Sequence, residues 1–318
     1  MIAVHLENGV VAARSVPLPQ RPPGFALLRL QCAGICNTDL ELQRGYYGFS
    51  GIPGHEFVAQ VMEADNRSLV GRRVVGEINL ACHACDWCRR GLARHCPNRT
   101  VLGIVGHPGA FQEYFTLPER NLHPIPTSVP PEAAVFTEPL AAACEILDQV
   151  DLPKGATVAV LGDGKLGLLI AQVLRAHSYG VHHYGRHAEK LRISADVGAD
   201  TVLVEGPLPE AAYEWVVDAT GSAEGLRAAV SMTRPRGTVI LKSTVQGTVG
   251  IDSAPVIVNE ITLVGSRCGR FEAALPLLER GVLRLEPMIH ARFRLEDAPA
   301  AFARAATPGV LKVLLEAS

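Results

Sequence analysis

The sequence predicts an α/β protein in which a mostly-β first part precedes a doubly wound parallel sheet. Strand-sized apolar segments alternate with helix-sized ones between Thr157 and Gly265. The first 126 residues instead break into short strand-like segments separated by proline and glycine. A chain of 318 residues that is 48% hydrophobic can bury a large core. We therefore predict domains at residues 1–126 and 127–266, with residues 267–318 returning to the first domain.

Composition and charge exclude several classes of function. The formal net charge is −2, which leaves no electrostatic footprint for nucleic acid or for an anionic membrane. No apolar run approaches the length of a bilayer span, and the N-terminus lacks the pattern of a signal peptide. The eight cysteines are typical of metal ligands and free thiols rather than of a secreted disulfide framework. We expect a cytoplasmic protein.

The first domain is predicted to begin with paired strands, because residues 1–15 alternate loosely between apolar and polar side chains. Prolines between residues 17 and 23 then mark a turn, and Phe25–Gln31 is predicted to be a strand that leads to Cys36. A second group of prolines, between residues 124 and 131, marks a linker and the start of a helix. The linker separates the two predicted domains.

Cys36, His55 and Glu56 are candidate ligands of a catalytic metal ion. A thiolate, an imidazole and a carboxylate suit a zinc site in which one coordination position stays open for substrate. Asp39 is a candidate acceptor that would orient the ring of His55. The alternative is a buried cysteine and a core histidine that never meet.

A second metal site is predicted from four closely spaced cysteines. Their C-x2-C-x2-C-x7-C spacing can close a tetrahedral zinc site with no open position, so the metal would be structural. We therefore predict two zinc ions per chain, the structural one held by Cys82, Cys85, Cys88 and Cys96.

The segments GICNTDLEL and GIPGHEF, together with the cysteine lobe, resemble the zinc-dependent medium-chain alcohol and polyol dehydrogenases. This resemblance implies a GroES-like fold for the first domain. It also implies that the hydroxyl of Thr38 relays the substrate proton, although a helix N-cap is an equally good interpretation of that residue. Glu41 stands where some relatives carry a relay histidine. Glu138, in a segment that resembles the EPL motif of the polyol dehydrogenases, competes with Glu56 to be the third zinc ligand.

A dinucleotide site is predicted at the first strand of the second domain. The apolar strand Thr157–Leu161 and the apolar helix Leu168–Ala176 flank the G-x-G-x-x-G sequence at residues 162–167. In this Rossmann arrangement the glycines permit a tight turn, and the pyrophosphate approaches the N-terminus of the helix. The predicted contacts are Gly162, Gly164, Lys165, Leu166 and Gly167.

The second strand, Gly180–Tyr184, predicts the preferred cofactor. An acidic residue at its end would hold the ribose 2′-OH of NAD, but Gly185 stands there and Arg186 follows. An arginine can hold a 2′-phosphate with two hydrogen bonds, so we predict that NADP is preferred over NAD. The alternative is a solvated arginine and NAD held by other contacts.

The rest of the chain completes the sheet and returns to the first domain. Further strands are predicted at Thr201–Val204, Trp215–Ala219, Gly237–Leu241 and Ile261–Gly265, then helices at Phe271–Arg280 and Asp297–Ala306 and a strand at Val310–Leu315. The resemblance places Thr220 near the cofactor and Lys312 near its pyrophosphate, although Lys312 is equally interpreted as a surface lysine. It also implies a homodimer or homotetramer.

The predicted activity is reversible oxidation of a secondary alcohol, polyol or sugar hydroxyl by NADP. Three other functions stay open: a simple alcohol dehydrogenase that uses NAD, a non-enzymatic sensor of zinc and dinucleotide, and a zinc-free reductase of activated alkenes. The ligand set around Cys36 favours the enzyme over the sensor, because a sensor has no need of an open metal position.

Overall fold

The computed structural model describes residues 1–244 and 248–317, which form two compact units. One unit is Met1–Glu138 with Met288–Ser318, and the other is Pro139–Pro287. The chain therefore leaves the first unit once and returns to it, at boundaries later in the sequence than the predicted 126/127 and 266/267.

Specific contacts explain the later boundaries. The proline-rich segment still belongs to the first unit, because Arg73 Nη2 donates to the carbonyls of Pro126 and Val129 at 2.8 and 2.6 Å. The helix that follows residue 270 belongs to the second unit, where Cys144 Sγ lies 3.8 Å from the carbonyl oxygen of Ala273. The position of a proline-rich segment in the sequence therefore need not coincide with the boundary between two compact units. The same holds for the residue at which the chain is predicted to return to the first domain.

The strands of the described residues are, in chain order, β1 Ile2–Glu7, β2 Val10–Ser15, β3 Phe25–Gly34, β4 Glu56–Glu63, β5 Arg73–Gly76, β6 Asn79–Leu80, β7 Thr100–Leu102, β8 Gly106–His107, β9 Tyr114–Pro118, β10 Leu122–Pro124, β11 Thr157–Leu161, β12 Gly180–Gly185, β13 Asp200–Leu203, β14 Tyr213–Asp218, β15 Thr233–Leu241, β16 Thr262–Gly265, β17 Ile289–Arg294 and β18 Lys312–Glu316.

The α-helices of the same residues are α1 Asn37–Gln43, α2 Asp86–Arg89, α3 Pro131–Ala134, α4 Thr137–Gln149, α5 Lys165–Ala176, α6 Ala188–Ala195, α7 Ala223–Met232, α8 Ser253–Val258, α9 Phe271–Glu279 and α10 Ala298–Ala305. None of the described helices is both long enough and apolar enough to cross a bilayer.

The first unit is built on a mostly antiparallel sheet of strand order β10-β5-β4-β3-β18-β17, to which β9 adds through β3. Strand β18 pairs with β3 so that Leu314 lies opposite Gly34, and β3 pairs with β4 so that Gly34 lies opposite Glu56. Glu56 on β4 and Lys312 on β18, which are 256 positions apart in the chain, thereby lie on the two strands that flank β3. This register brings the last strand of the chain close to Glu56.

The second unit has a parallel sheet of strand order β13-β12-β11-β14-β15-β16, with β11 first in the chain. This is the doubly wound order 3-2-1-4-5-6 of dinucleotide-binding folds. At the centre of this sheet, Val158 and Ala159 on β11 and Val216 and Val217 on β14 are fully buried, as expected for a sheet covered on both faces. The strand order reverses between β11 and β14, where such folds bind ligands at the carboxyl ends of the strands.

Candidate active site

Cys36 is placed by the start of helix α1, for which it is the N-cap residue. Its backbone N–H donates to Asp39 Oδ2 at 2.8 Å, so the third residue of the helix closes the turn back onto the cap. Asp39 is fully buried. The N-cap residue of α1 is therefore Cys36 and not Thr38.

His55 and Glu56 are presented where strand β4 begins. The preceding residue, Gly54, has a φ of +102°, and a Cβ there would lie 2.6 Å from Cγ of Phe111. Only glycine combines that backbone conformation with that close approach. The chain turns at this glycine and directs His55, which is 3% exposed, and Glu56, which is 1% exposed, into the interior.

The ligand atoms of Cys36, His55 and Glu56 lie within 4.8 Å of one another. His55 Nδ1 lies 3.4 Å from Asp39 Oδ1, so the acid lies beside the ring. Burial alone would lower the pKa of His55, but the neighbouring Asp39 and Cys36 raise it well above its usual value. Three different ligand types so close together, two of them buried, fit a zinc ion held by protein on one side.

The two carboxylate oxygens of Glu56 have different surroundings. Its Oε2 forms an ion pair with Lys312, and both side chains are 1% exposed. Its Oε1 is buried and has no hydrogen-bond partner among the described residues. A buried carboxylate oxygen without a partner is costly, and a metal ion would satisfy it.

Lys312 is buried within the first unit. The resemblance places this residue near the pyrophosphate, with a surface lysine as the alternative. Its ammonium is buried against Glu56 and lies 5.5 Å from the ring centroid of Phe136. A lysine that is 1% exposed is not a surface lysine, so that interpretation of Lys312 is wrong. The structure thus places Lys312 beside the predicted metal site, on the last strand of the same sheet.

The other candidates of this site lie around α1 and at the start of α4. Thr38 Oγ1 is 3.8 Å from Cys36 Sγ. Glu41 is one turn further along α1, where Arg44 Nη1 donates to its Oε1 at 2.5 Å. Glu138 is half-buried in the first turn of α4 and is not one of the three residues whose ligand atoms are grouped.

The four cysteines of the lobe converge. The Sγ atoms of Cys85 and Cys88 are 3.5 Å apart, those of Cys85 and Cys96 are 3.7 Å apart, and those of Cys82 and Cys96 are 3.5 Å apart. Zn–S bonds of about 2.3 Å would separate tetrahedral sulfur atoms by about 3.8 Å. N–H groups of Ala84 and Cys85 lower the pKa of Cys82 to about 6, whereas burial raises the pKa of Cys88 to about 12. The lobe fits a structural zinc ion.

In the second unit, the glycine-rich turn joins β11 to α5. Gly162 has a φ of +106°, and a Cβ on it would lie 2.7 Å from the carbonyl oxygen of Ala219, which follows β14. Gly164 is the N-cap of α5. Gly167 lies on the first turn of α5, where a Cβ would collide with the carbonyl of Gly162. Lys165 and Leu166 open the helix, whose N–H groups face the position that a pyrophosphate takes in this fold.

Thr220 lies beside the same turn, at the end of β14. Its N–H and its hydroxyl both donate to Asp218 Oδ1, at 3.0 and 2.7 Å. Asp218 is 3% exposed. The carboxylate therefore shapes the loop that passes the glycine-rich turn at the reversal of strand order.

Gly185 ends β12 and Arg186 after it is exposed. The space next to Gly185 is filled by Asp163, the residue between the first two glycines of the turn. Its Oδ2 accepts hydrogen bonds from the N–H groups of Arg186 and His187 at 2.6 and 2.7 Å. Sequence reasoning identified the missing acid at residue 185 but not this neighbour.

Comparison with known proteins agrees with both halves of the chain. Residues 22–127 match the alcohol dehydrogenase GroES-like domain, and residues 166–280 match the zinc-binding dehydrogenase domain. The chain is 31% identical over 329 residues to an L-threonine 3-dehydrogenase of Streptomyces avermitilis, covering 95% of this chain and 94% of that protein. The chain belongs to the zinc-dependent medium-chain dehydrogenase family.

Two further relatives illustrate the range of this dehydrogenase family. A D-altritol 5-dehydrogenase of Agrobacterium fabrum is 30% identical over 277 residues, which are 82% of each chain. The structure of a Sinorhizobium meliloti 1021 protein, described as a zinc-binding dehydrogenase bound to NADP, superposes with a TM-score of 0.91 at 29% identity, covering 99% of this chain and 98% of that one. The present chain is thus an oxidoreductase of this family, with a GroES-like domain and a Rossmann domain.

Proposed function

We propose that this dehydrogenase oxidises a secondary alcohol group of a polyol or sugar, with NADP as the hydride acceptor, and catalyses the reverse reduction. The observation that carries the proposal is the group formed by Cys36, His55 and Glu56, in which one carboxylate oxygen is buried without a partner. The D-altritol 5-dehydrogenase and the L-threonine 3-dehydrogenase among its relatives act, by their names, on hydroxyl-bearing small molecules.

The chain's own residues have distinct tasks in this reaction. Cys36 and His55 hold the metal together with Glu56 or Glu138, and Asp39 orients the ring of His55. A bound zinc ion supplies Lewis acidity toward the substrate oxygen, and the dinucleotide supplies the hydride acceptor. Thr38, whose hydroxyl lies next to Cys36, accepts the alcohol proton and passes it outward. Glu41 is our candidate for the next acceptor, since its Oε2 is buried and has no hydrogen-bond partner among the described residues.

The NADP preference is supported by the end of strand β12. Gly185 contributes no carboxylate to hold a ribose 2′-OH, and the exposed guanidinium of Arg186 follows it. The Sinorhizobium meliloti relative was solved with NADP bound. We assign the contacts to the pyrophosphate to Gly162, Gly164, Lys165, Leu166 and Gly167.

We also propose that the enzyme is a cytoplasmic homodimer or homotetramer. Strand β16 is an edge of the parallel sheet, and Leu263 on it is 37% exposed. Ile257 and Val258 on the neighbouring helix α8 are 71% and 79% exposed. An edge strand next to exposed apolar side chains is a surface on which a second subunit can pair.

A substrate panel tests the proposal. Zinc-loaded protein would be assayed with polyols, sugars, L-threonine and simple secondary alcohols, with NADP or NAD as acceptor and absorbance of the reduced nicotinamide as readout. We expect turnover of a polyol or sugar and a higher kcat/KM with NADP. Turnover with simple alcohols only would contradict the substrate class, and a higher kcat/KM with NAD would contradict the cofactor.

A further inference from the structure

The side chain of Asp163 lies between the glycine-rich turn and the end of β12, in the space that a side chain at residue 185 would need. A Cβ built on Gly185 would lie 2.6 Å from Oδ2, 2.7 Å from Cβ and 2.9 Å from Cγ of Asp163. Atoms do not approach so closely, so an acidic side chain at residue 185 and the observed position of Asp163 exclude each other. The space that an acidic side chain at residue 185 would need is therefore occupied by Asp163.

The carboxylate of Asp163 is committed to the loop that follows the strand. Its Oδ2 accepts the two backbone N–H groups of Arg186 and His187, and His187 Nδ1 lies 3.0 Å from the same oxygen. Burial would raise the pKa of Asp163, but the hydrogen bonds from His187 and Arg186 together lower it. The side chain is 10% exposed, so an ionised carboxylate is largely enclosed by the loop that it holds.

A side chain from β12 also bonds back to the glycine-rich turn. His183 on β12 is fully buried, with Nε2 2.9 Å from the carbonyl oxygen of Gly162 and Nδ1 2.8 Å from Ser194 Oγ. Because the carbonyl only accepts, Nε2 carries the hydrogen and Nδ1 accepts from Ser194. The turn and the end of β12 are thus joined by a side chain from each.

We propose that Asp163 is a positioning residue for cofactor selection: it holds the backbone of residues 186 and 187 so that Arg186 faces the 2′-phosphate of NADP. This inference rests on the proposed use of NADP. The two N–H groups bonded to Asp163 are not available to the 2′-phosphate. The side chain of Arg186 must therefore supply the discrimination between NADP and NAD. Asp163 itself makes no contact with the phosphate.

Fragment binding tests this role without catalysis. The ligands are 2′,5′-ADP and 5′-AMP, which differ only in the 2′-phosphate, titrated calorimetrically into wild type, Asp163→Ala and Asp163→Asn. Loss of the charged hydrogen bonds that hold the loop should weaken 2′,5′-ADP about tenfold in Asp163→Ala and leave 5′-AMP within about twofold. Asp163→Asn keeps an acceptor for the backbone N–H groups and should recover part of the loss. Thermal unfolding of each variant verifies that the second unit is folded.

The outcomes separate this inference from the NADP proposal. A wild type that binds 5′-AMP more tightly than 2′,5′-ADP rejects the NADP preference and the inference with it. A wild-type preference for 2′,5′-ADP that survives in Asp163→Ala rejects the inference alone. Tighter 2′,5′-ADP binding in Asp163→Ala also rejects it, because the carboxylate would then be repelling the phosphate rather than positioning its partner.

Discussion

Lys312 and Glu56 form a buried ion pair across the central strand of the first unit. They lie on β18 and β4, the two neighbours of β3, and Gly34 on β3 lies between them. A Cβ at Gly34 would lie 2.6 Å from Glu56 Oε2 and 3.2 Å from Lys312 Cδ. The absence of a side chain at that one position lets the ammonium reach the carboxylate. Because the pair lies at the predicted metal site, it leaves only one oxygen of Glu56 for zinc.

Replacement of Lys312 by methionine should destabilise the metal-free protein. An unpaired buried carboxylate costs about 3–5 kcal/mol relative to the intact pair. The double variant Lys312→Met with Glu56→Gln removes both charges and should recover most of the loss. Urea unfolding of the four metal-free proteins, as a double-mutant cycle, measures the coupling. Independent effects of the two substitutions would contradict the pairing.

The catalytic ligands can be separated from the cofactor site with Cys36→Ser. We expect the zinc content to fall from two ions to one and turnover to fall more than about 100-fold, because the metal contributes several kcal/mol to the reaction. NADP binding, measured by calorimetry, should be unchanged. Cys32→Ala is a matched control, because Cys32 is a buried thiol on β3 outside the grouped ligands. Full turnover in Cys36→Ser would reject the mechanism.

The zinc lobe should contribute stability rather than chemistry. In Cys85→Ser the four-sulfur site loses one ligand, so we expect one zinc ion per chain and a lower unfolding temperature. Residual turnover at low temperature should persist, because Cys36 and His55 are untouched. We would measure the zinc content, the unfolding temperature and the turnover on the same preparation. A variant that loses activity but keeps both zinc ions would contradict this division of roles.

The sequence predicted what depends on ligand chemistry and local spacing, but not what depends on distant neighbours. The four lobe cysteines lie within 15 residues, so their spacing already predicted a common metal. Lys312 and Glu56 are separated by 256 positions, and only the strand order places them together. The absence of an acidic residue at position 185 was visible in the sequence. That the side chain of Asp163 fills the adjacent space could be seen only from the positions of two loops in the structure. The interpretation of Lys312 as a surface lysine was wrong for the same reason: burial cannot be read from a single lysine.

Arg186→Gln should reduce the preference for NADP. The guanidinium is expected to make a charge-assisted bond worth about 1.5–3 kcal/mol, so kcat/KM with NADP should fall about 10- to 100-fold. The value with NAD should change less than about threefold, since NAD has no 2′-phosphate. Arg192→Gln, which removes an exposed arginine on α6 of the same segment, is the matched control. Equal losses with both cofactors would show that Arg186 does not read the 2′ position.

The two glycines that begin the turn should respond differently to alanine. Gly162 has a φ of +106° and its Cβ would lie 2.7 Å from the carbonyl oxygen of Ala219, so Gly162→Ala should destabilise the second unit by more than about 1 kcal/mol. Gly164 has a φ of −75° and an added Cβ would meet no atom within 4 Å. Gly164→Ala should therefore fold like wild type.

Binding should nevertheless be lost in Gly164→Ala, because the pyrophosphate must approach the backbone at that position. Calorimetric titration of NADP and urea unfolding, performed on both variants, separate the two effects. We expect Gly164→Ala to weaken NADP at least about tenfold at unchanged stability, a pattern that a purely conformational role of the glycine cannot produce. Unchanged NADP affinity in Gly164→Ala would place the pyrophosphate elsewhere than on this turn.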